Sequence, residues 1–167
     1  MRAPSDARQL PHSYRQLTYF ATVSDCQICT RELADTEPAG GWVLRTDLWS
    51  ACVAEGYEAP GWLFLQTIRH VEGPMGMNSE EAGEMGVDVA HLSGAIKAVT
   101  GAEKIYVLAY GERFPHFHLV LLPRLPFAPP ELMGPGLFTK ADDLADPAEA
   151  ARVAAAVRDT LNSSNDP

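Results

Sequence analysis

The sequence predicts an α+β fold: an antiparallel sheet of about five strands packed against one long central helix, followed by a C-terminal helix. Three observations predict it. Short runs rich in β-branched and aromatic residues, separated by turn residues, indicate strands. One long segment has apolar residues at spacings of three and four, which is typical of an amphipathic helix. An alanine-rich segment that follows an Asp-Pro pair indicates a second helix near the end of the 167 residues.

Three strands are predicted in the first half of the chain. Alternating apolar and polar residues in GWVLRTDLWSACVAEG indicate two short strands, one around Trp42 and Leu44 and one between Leu48 and Val53. A further strand follows the Pro-Gly turn in APGWLFLQTIRH and runs toward Ile68. Together they predict an antiparallel meander.

The long helix is predicted from Asn78 to Thr100. Asn78 and Ser79 can cap its first turn, and Gly101 supplies a stop signal. Its apolar residues form one stripe: Ala82, Met85, Val89, Leu92, Ile96 and Val99.

Two β-rich runs follow the helix. KIYVLAYG and FPHFHLVLLP, separated by the turn-like GER, predict a hairpin whose second strand is interior. Alternate strand residues share a face, so His116, His118 and Val120 are expected to point the same way, with the two imidazoles about 7 Å apart. These histidines can serve one site, or they can be surface residues or hydrogen-bonded core residues.

The chain after Arg124 is predicted to be irregular through the Pro-rich LPFAPPELMGPG and then helical through DPAEAARVAAAVRDTL. Asp146 is the expected helix cap and Pro147 the first helical residue. The predicted organisation is an N-terminal extension at residues 1–24, a core domain at 25–125, and a segment at 126–167 that packs on the same domain.

Composition excludes several classes of function. The formal net charge of −9 opposes nonspecific attraction to nucleic acids or anionic membranes. No apolar run is long enough for a membrane span, and the polar N-terminus lacks the apolar region of a secretory signal, so we expect a cytoplasmic protein. Three cysteines are too few for a disulfide framework, and the Cys-x-x-Cys spacing of Cys26 and Cys29 favours a metal site.

The run PHFHLVLLPR resembles the signature of the histidine triad family, which is His, apolar, His, apolar, His, two apolar residues and then Pro-Arg. CQIC, APGWLFLQTIRHVEG, the long helix and VLAYGERFPHFHLVLLPR occur in that family's order, covering about residues 26–124. The resemblance implies the histidine triad fold, a nucleotide as the small-molecule substrate, and a possible homodimer formed through the long helix and an adjoining strand.

The resemblance also implies a reaction. The family's middle histidine falls on His118, which would attack the α-phosphorus of a nucleotide and form a nucleotidyl-histidine that water or another acceptor then resolves. The first histidine falls on His116. The third position is Val120, a departure from the family's pattern, because an isopropyl group donates no hydrogen bond.

The remaining substrate contacts implied by the resemblance lie in two places. The turn formed by Gly111, Glu112 and Arg113 corresponds to the family's phosphate-contacting loop. Arg113 either replaces the lost donors or is a solvated turn residue. Glu55 is the candidate for holding the ribose, and early aromatic residues are candidates for an adenine slot.

Cys26 and Cys29 are spaced so that two thiolates can bind one tetrahedral zinc ion. By resemblance, His70 and His116 complete the set, which makes a closed structural Zn²⁺ site. Two alternatives remain at this stage: a metal-free redox pair of cysteines, and replacement of one ligand by His91.

Three functions remain open from the sequence. The first is a nucleotide hydrolase or nucleotidyl transferase that acts through His118. The second is a nucleotide-binding or sensing module that has lost turnover because of Val120. The third is a hydrolase in which the zinc ion itself activates water.

Overall fold

A computed structural model describes residues 26–33, 37–112 and 114–164. The predicted N-terminal extension, residues 1–24, lies outside the described residues. Among the described residues, no helix is both long enough and apolar enough to span a membrane. The predicted cytoplasmic location stays a prediction.

Five strands form one sheet in which all neighbours are antiparallel, and its order is β1-β2-β3-β5-β4. The strands are β1 (Leu44–Arg45), β2 (Trp49–Val53), β3 (Leu63–Thr67), β4 (Lys104–Leu108) and β5 (His118–Arg124). The predicted five-stranded antiparallel sheet and the interior position of β5 are confirmed. The β4–β5 connection is longer than the predicted GER turn, because β4 ends at Leu108 and β5 begins only at His118.

The helices are α1 (Gln27–Leu33), α2 (Ser79–Thr100), α3 (Pro135–Thr139), α4 (Ala141–Leu144) and α5 (Pro147–Ser164). The prediction of a wholly irregular Pro-rich segment is wrong, because a 3₁₀ turn occupies Pro130–Leu132 and α3 begins at Pro135. Proline is well suited to the first position of a helix, where its missing N–H has no intrahelical partner to lose. The helix after Asp146 is confirmed, and the Asp146 carboxylate accepts a hydrogen bond from the Glu149 amide.

Both ends of α2 have the predicted signals. The Asn78 side chain accepts hydrogen bonds from the amides of Glu80 and Glu81, and the Glu81 carboxylate accepts one from the Asn78 amide. Gly101 ends the helix with φ of +70°, a conformation that costs glycine little. Of the predicted apolar stripe, Leu92 and Ile96 are fully buried, whereas Ala82 is exposed because the helix buries Glu81 instead.

The sheet separates two apolar clusters, and the alternation along β5 decides which side each residue joins. Leu119 and Leu121 face α2 and α5, where they pack with Leu92 and Ile96. On the opposite face, Val120 packs with Leu137 and Phe138 of α3. The same cluster includes Trp62, Phe64 and Leu122. The predicted division of β5 into two faces is therefore confirmed for residues 119–122, and the face that carries Val120 is the one covered by the C-terminal segment.

Candidate functional site

The four residues predicted to bind zinc come together at one end of the sheet. The ligand atoms of Cys26, Cys29, His70 and His116 all lie within 4.8 Å of one another. Cys29 Sγ lies 3.2 Å from His70 Nδ1 and 3.4 Å from His116 Nδ1, and Cys26 Sγ lies 3.5 Å from His116 Nδ1. Four donors that are distant in sequence thus converge on one point.

Local structure explains the convergence. Cys26 precedes α1 and Cys29 lies in its first turn, so one helical turn brings both sulfurs to the same side. His70 follows β3, and His116 precedes β5, both at the same end of the sheet. His116 lies before the strand and not within it, contrary to the prediction, because ladder pairing with β3 begins at His118.

The donor set fits a zinc ion. Bonds of about 2.3 Å to sulfur and about 2.0 Å to nitrogen at tetrahedral angles separate sulfur from nitrogen by about 3.5 Å. The measured S···N distances of 3.2–3.5 Å agree with that separation. His116 Nε2 lies 2.6 Å from the Thr67 carbonyl oxygen, which places the ring proton on Nε2 and leaves Nδ1 as a lone-pair donor toward the sulfurs.

The acid–base properties of the cluster also favour a cation. Burial, together with the neighbouring Cys26, raises the pKa of Cys29 to about 12, so a thiolate at this position needs a positive partner. Burial lowers the pKa of His116 to about 4, so its imidazole is neutral at physiological pH, as a metal ligand must be. His91, the alternative ligand, is exposed on α2 and is not part of this cluster.

His118 begins β5 next to this cluster. Its Nδ1 lies 2.7 Å from the main-chain carbonyl oxygen of His116, so Nδ1–H donates and Nε2 keeps the lone pair. Its ring centroid lies 4.8 Å from that of Phe64. Burial lowers the pKa of His118, although its bond to the His116 carbonyl opposes the shift. The imidazole is therefore neutral, in a single tautomer, and fixed in orientation.

The His118 ring is 7% exposed, and it lines a cleft of about 230 Å³. The opposite walls are largely aromatic and come from the loop before β5, the loop after β2, and α3. The other lining residues are Tyr57, Tyr110, Gly111, Glu112, Phe114, Val120 and Phe138. A larger groove of about 860 Å³ lies between α5 and the Pro-rich segment, and the described residues that line it include neither His118 nor any of the four cysteine and histidine residues of the cluster.

The predicted substrate residues are only partly brought together. Gly111, Glu112 and Val120 line the cleft with His118. Arg113 lies outside the described residues. Glu55 is exposed after β2, is not a lining residue of the cleft, and forms an ion pair of 2.9 Å with Arg31.

A buried polar network beside His118 was not predicted from the sequence. Gln66, the β3 partner of His118, accepts a hydrogen bond from Arg31 and donates one to Glu32. Glu32 also accepts a hydrogen bond from Ser50 of β2. The available signal was the presence of Ser50 and Gln66 inside strands that are otherwise largely apolar, together with the charged Arg31 and Glu32, which follow CQIC after one threonine.

No protein-family model matches this sequence, and no curated protein matches it. Solved structures do. A hypothetical histidine triad nucleotide-binding protein from Sulfolobus tokodaii superposes with a TM-score of 0.65 and 15% identity, covering 83% of this chain and 93% of that chain. A zinc-bound histidine triad family protein from Mycobacterium smegmatis gives 0.62 and 16%, covering 86% of this chain and 100% of that chain.

A third similar structure is the diadenosine triphosphate hydrolase of Plasmodium falciparum in complex with cyclomarin A, with a TM-score of 0.59, 11% identity, and coverage of 77% of this chain and 81% of that chain. At these identities the comparisons establish the fold. The chain has the fold of the histidine triad proteins, as the resemblance implied.

Proposed function

We propose that this chain, with its histidine triad fold, binds a nucleotide in the cleft beside His118 and uses that imidazole as a nucleophile at the α-phosphorus. The observation that carries the proposal is the hydrogen bond from His118 Nδ1 to the His116 carbonyl. It leaves the Nε2 lone pair available on a ring that lines the cleft. The likeness to a nucleotide-binding protein and to a diadenosine triphosphate hydrolase supports a nucleotide as the ligand.

The proposed reaction has two steps. The His118 Nε2 lone pair forms a bond to phosphorus while the bond from phosphorus to the leaving group breaks with its electron pair. The proton on Nδ1 stays in place, and the His116 carbonyl stabilises the positive charge that develops on the ring. Water, or another acceptor, then attacks phosphorus, the N–P bond breaks, and its electron pair returns to Nε2.

Main-chain geometry supports a phosphate position beside this ring. Gly111 and Glu112 lie in the cleft wall, and Gly111 has φ of +73°, in the left-handed region that favours glycine. Backbone amides of such a turn can donate hydrogen bonds to an anion. Arg113 would add a permanent positive charge at the same turn.

The metal site has a supporting role in this proposal. Zinc held by Cys26, Cys29, His70 and His116 would crosslink α1 to the sheet and fix His116, whose carbonyl orients the nucleophile. Four protein donors leave no open coordination position for water, which argues against the zinc-activated hydrolase.

The experiment that tests the proposal compares His118→Ala with His91→Ala, a substitution of an exposed histidine on α2. An adenosine nucleotide labelled at the α-phosphate is expected to form an acid-labile adduct with the parent protein and with His91→Ala. His118→Ala should form none and should lose at least about 10³-fold in kcat/KM. Equal turnover by His118→Ala and the parent protein would exclude the proposed nucleophile.

The second candidate function is a binding or sensing module. Val120 favours it, since it lines the cleft beside His118 and has no proton to donate. In that case calorimetry detects binding of adenosine monophosphate, but no substrate turns over, even after Val120→His. Turnover by the parent protein would exclude this alternative.

A homodimer stays a prediction. Among the described residues, β4 pairs with β5 alone, so its outer edge is available for pairing with a second copy. Sedimentation equilibrium would decide the oligomeric state.

A further inference from the structure

Four aromatic side chains line the cleft beside His118: Tyr57, Tyr110, Phe114 and Phe138. Phe138 of α3 is supported from outside the cleft lining by Trp62, on which it stacks with ring centroids 6.3 Å apart and planes 10° apart. Its centroid lies 5.2 Å from that of Tyr57 and 5.4 Å from that of Tyr110. Tyr110 is 57% exposed, so its ring stands where the cleft opens to solvent. A planar apolar group that enters the cleft would therefore contact aromatic faces.

The described side chains that line the cleft carry little charge. Among the described residues that line it, the ionisable side chains other than tyrosine are His118 and Glu112, and none is Lys or Arg. A polyphosphate tail would lie near the Glu112 carboxylate without a cationic partner from these residues. Among the described residues, the lining therefore offers a planar neutral ring more contacts than it offers a second phosphate.

Val120 adds a constraint on the leaving group. It is 3% exposed and lies on the same face of β5 as His118, where it lines the cleft. An isopropyl group cannot donate a proton to a departing oxygen. A leaving group that is stable as an anion needs no such donor, whereas an alkoxide does.

We propose that the leaving group is an aryl oxide, so that the substrate is an aryl ester of a nucleoside 5′-monophosphate whose ring lies against Tyr110 and Phe138. This inference rests on the proposed nucleophilic role of His118. The N–P bond forms as the bond from phosphorus to the aryl oxygen breaks, and its electron pair leaves on the aryl oxide, which takes a proton from solvent. Water then forms a bond to phosphorus and gives a proton to solvent, the N–P bond breaks, and its electron pair returns to His118 Nε2 as the nucleoside monophosphate is released.

The first experiment compares two substrates that share the same nucleoside phosphate. The 4-nitrophenyl ester of adenosine monophosphate is expected to have kcat/KM at least about 100-fold above that of diadenosine triphosphate. Across esters of increasingly basic phenols, kcat/KM should fall steeply for the parent protein. Val120→His, which restores a donor, should flatten that dependence. A flat series in the parent protein would overturn the role given to Val120.

The second experiment tests the aromatic wall with a matched pair of exposed rings. Tyr110→Leu is expected to raise KM for the 4-nitrophenyl ester about two- to tenfold and to leave the inhibition constant of adenosine monophosphate unchanged. Phe127→Leu removes a fully exposed ring that does not line this cleft, and should change neither value. Equal effects of the two substitutions would overturn the placement of the aryl group.

The two proposals fail in different ways. If diadenosine triphosphate is cleaved as well as the aryl ester, and Arg113→Gln abolishes that cleavage, the inference about the leaving group is wrong while the nucleophile stands. If neither compound is cleaved and no adduct forms at His118, both proposals are wrong.

Discussion

The two sides of His118 are built from opposite chemistry. On one side, two cysteines and two histidines converge with their donor atoms within 4.8 Å, and His116 is held further by the Thr67 carbonyl. On the other side, a cleft of about 230 Å³ is lined by aromatic rings with few polar groups. The difference separates two tasks: directional bonds fix the orientation of the His118 ring, whereas a largely apolar wall determines which groups can contact it.

The largest expected effect comes from breaking the cysteine and histidine cluster. Cys29→Ser removes one of the four proposed zinc donors, so we expect the variant to bind no zinc and to lose on the order of 3–5 kcal/mol of unfolding free energy. Metal content per chain and urea unfolding would measure both changes. Treatment of the parent protein with a chelator should produce a similar loss of stability.

Cys52→Ala is the matched control for this substitution. Cys52 is buried in β2 but lies outside the cluster, and burial raises the pKa of its thiol to about 11. Its substitution should retain the metal and cost about 1 kcal/mol, through lost packing alone. Equal losses from the two substitutions would mean that the cluster contributes packing and no metal site.

A smaller effect is expected at Glu81, which belongs to neither side of His118. Its carboxylate accepts two hydrogen bonds from Arg69 and one from the Asn78 amide, and these bonds lower its pKa below the ordinary 4.5. Because the folded protein holds the charged form, this stabilisation is present above pH 4.5 and is lost as the pH falls through the lowered pKa.

Glu81→Gln should therefore lower the free energy of unfolding by about 1.5–3 kcal/mol at pH 7, and the difference from the parent protein should shrink below pH 4.5. Glu80→Gln, at an exposed neighbouring position, should change stability by less than about 0.5 kcal/mol. Metal content and substrate affinity should stay at the parent values. A change in metal content or in substrate affinity would show that the start of α2 is coupled to the site, and would contradict the assignment of Glu81 to neither side of His118.

The smallest effect is expected at Glu55, at the outer end of the polar network. Its ion pair with Arg31 is solvent-exposed on the Glu55 side, so Glu55→Gln should alter stability by less than about 1 kcal/mol. If Glu55 holds the ribose, the Kd for adenosine monophosphate should rise about fivefold, while that for the 2′,3′-dideoxy analogue stays constant. Equal changes for both ligands would contradict the ribose contact.

Sequence patterns predicted those parts of the molecule that depend on local chain geometry. The start and stop of α2 depend on Asn78 and Gly101, and both residues lie at the predicted ends. The Cys-x-x-Cys spacing predicted that Cys26 and Cys29 lie together, whereas their convergence with His70 and His116 was implied by the resemblance alone. The ends of α2 and the proximity of the two cysteines follow from capping and helical spacing, which are visible in the sequence.

The unpredicted parts depend on contacts between distant residues. The packing of Phe138 on Trp62 requires α3 to fold back over the sheet. The spacing of apolar residues in the sequence does not predict where a segment packs after it leaves the sheet. The bond from His118 to the His116 carbonyl is local, but it depends on the main-chain orientation before β5, which residue types alone do not specify. Arg31 and Glu32 meet Gln66 only because α1 lies across β3, a placement that the spacing of charges on α1 does not reveal.

The ring of Phe138 and the imidazole of His118 belong to segments that are separated along the chain, since α3 lies beyond the end of β5. Exchanges of residues 126–144 therefore replace one wall of the cleft and leave the sequence of the strand that carries His118 unchanged. The lining of the cleft can thus be varied independently of β5, by grafting the stretch between β5 and α5.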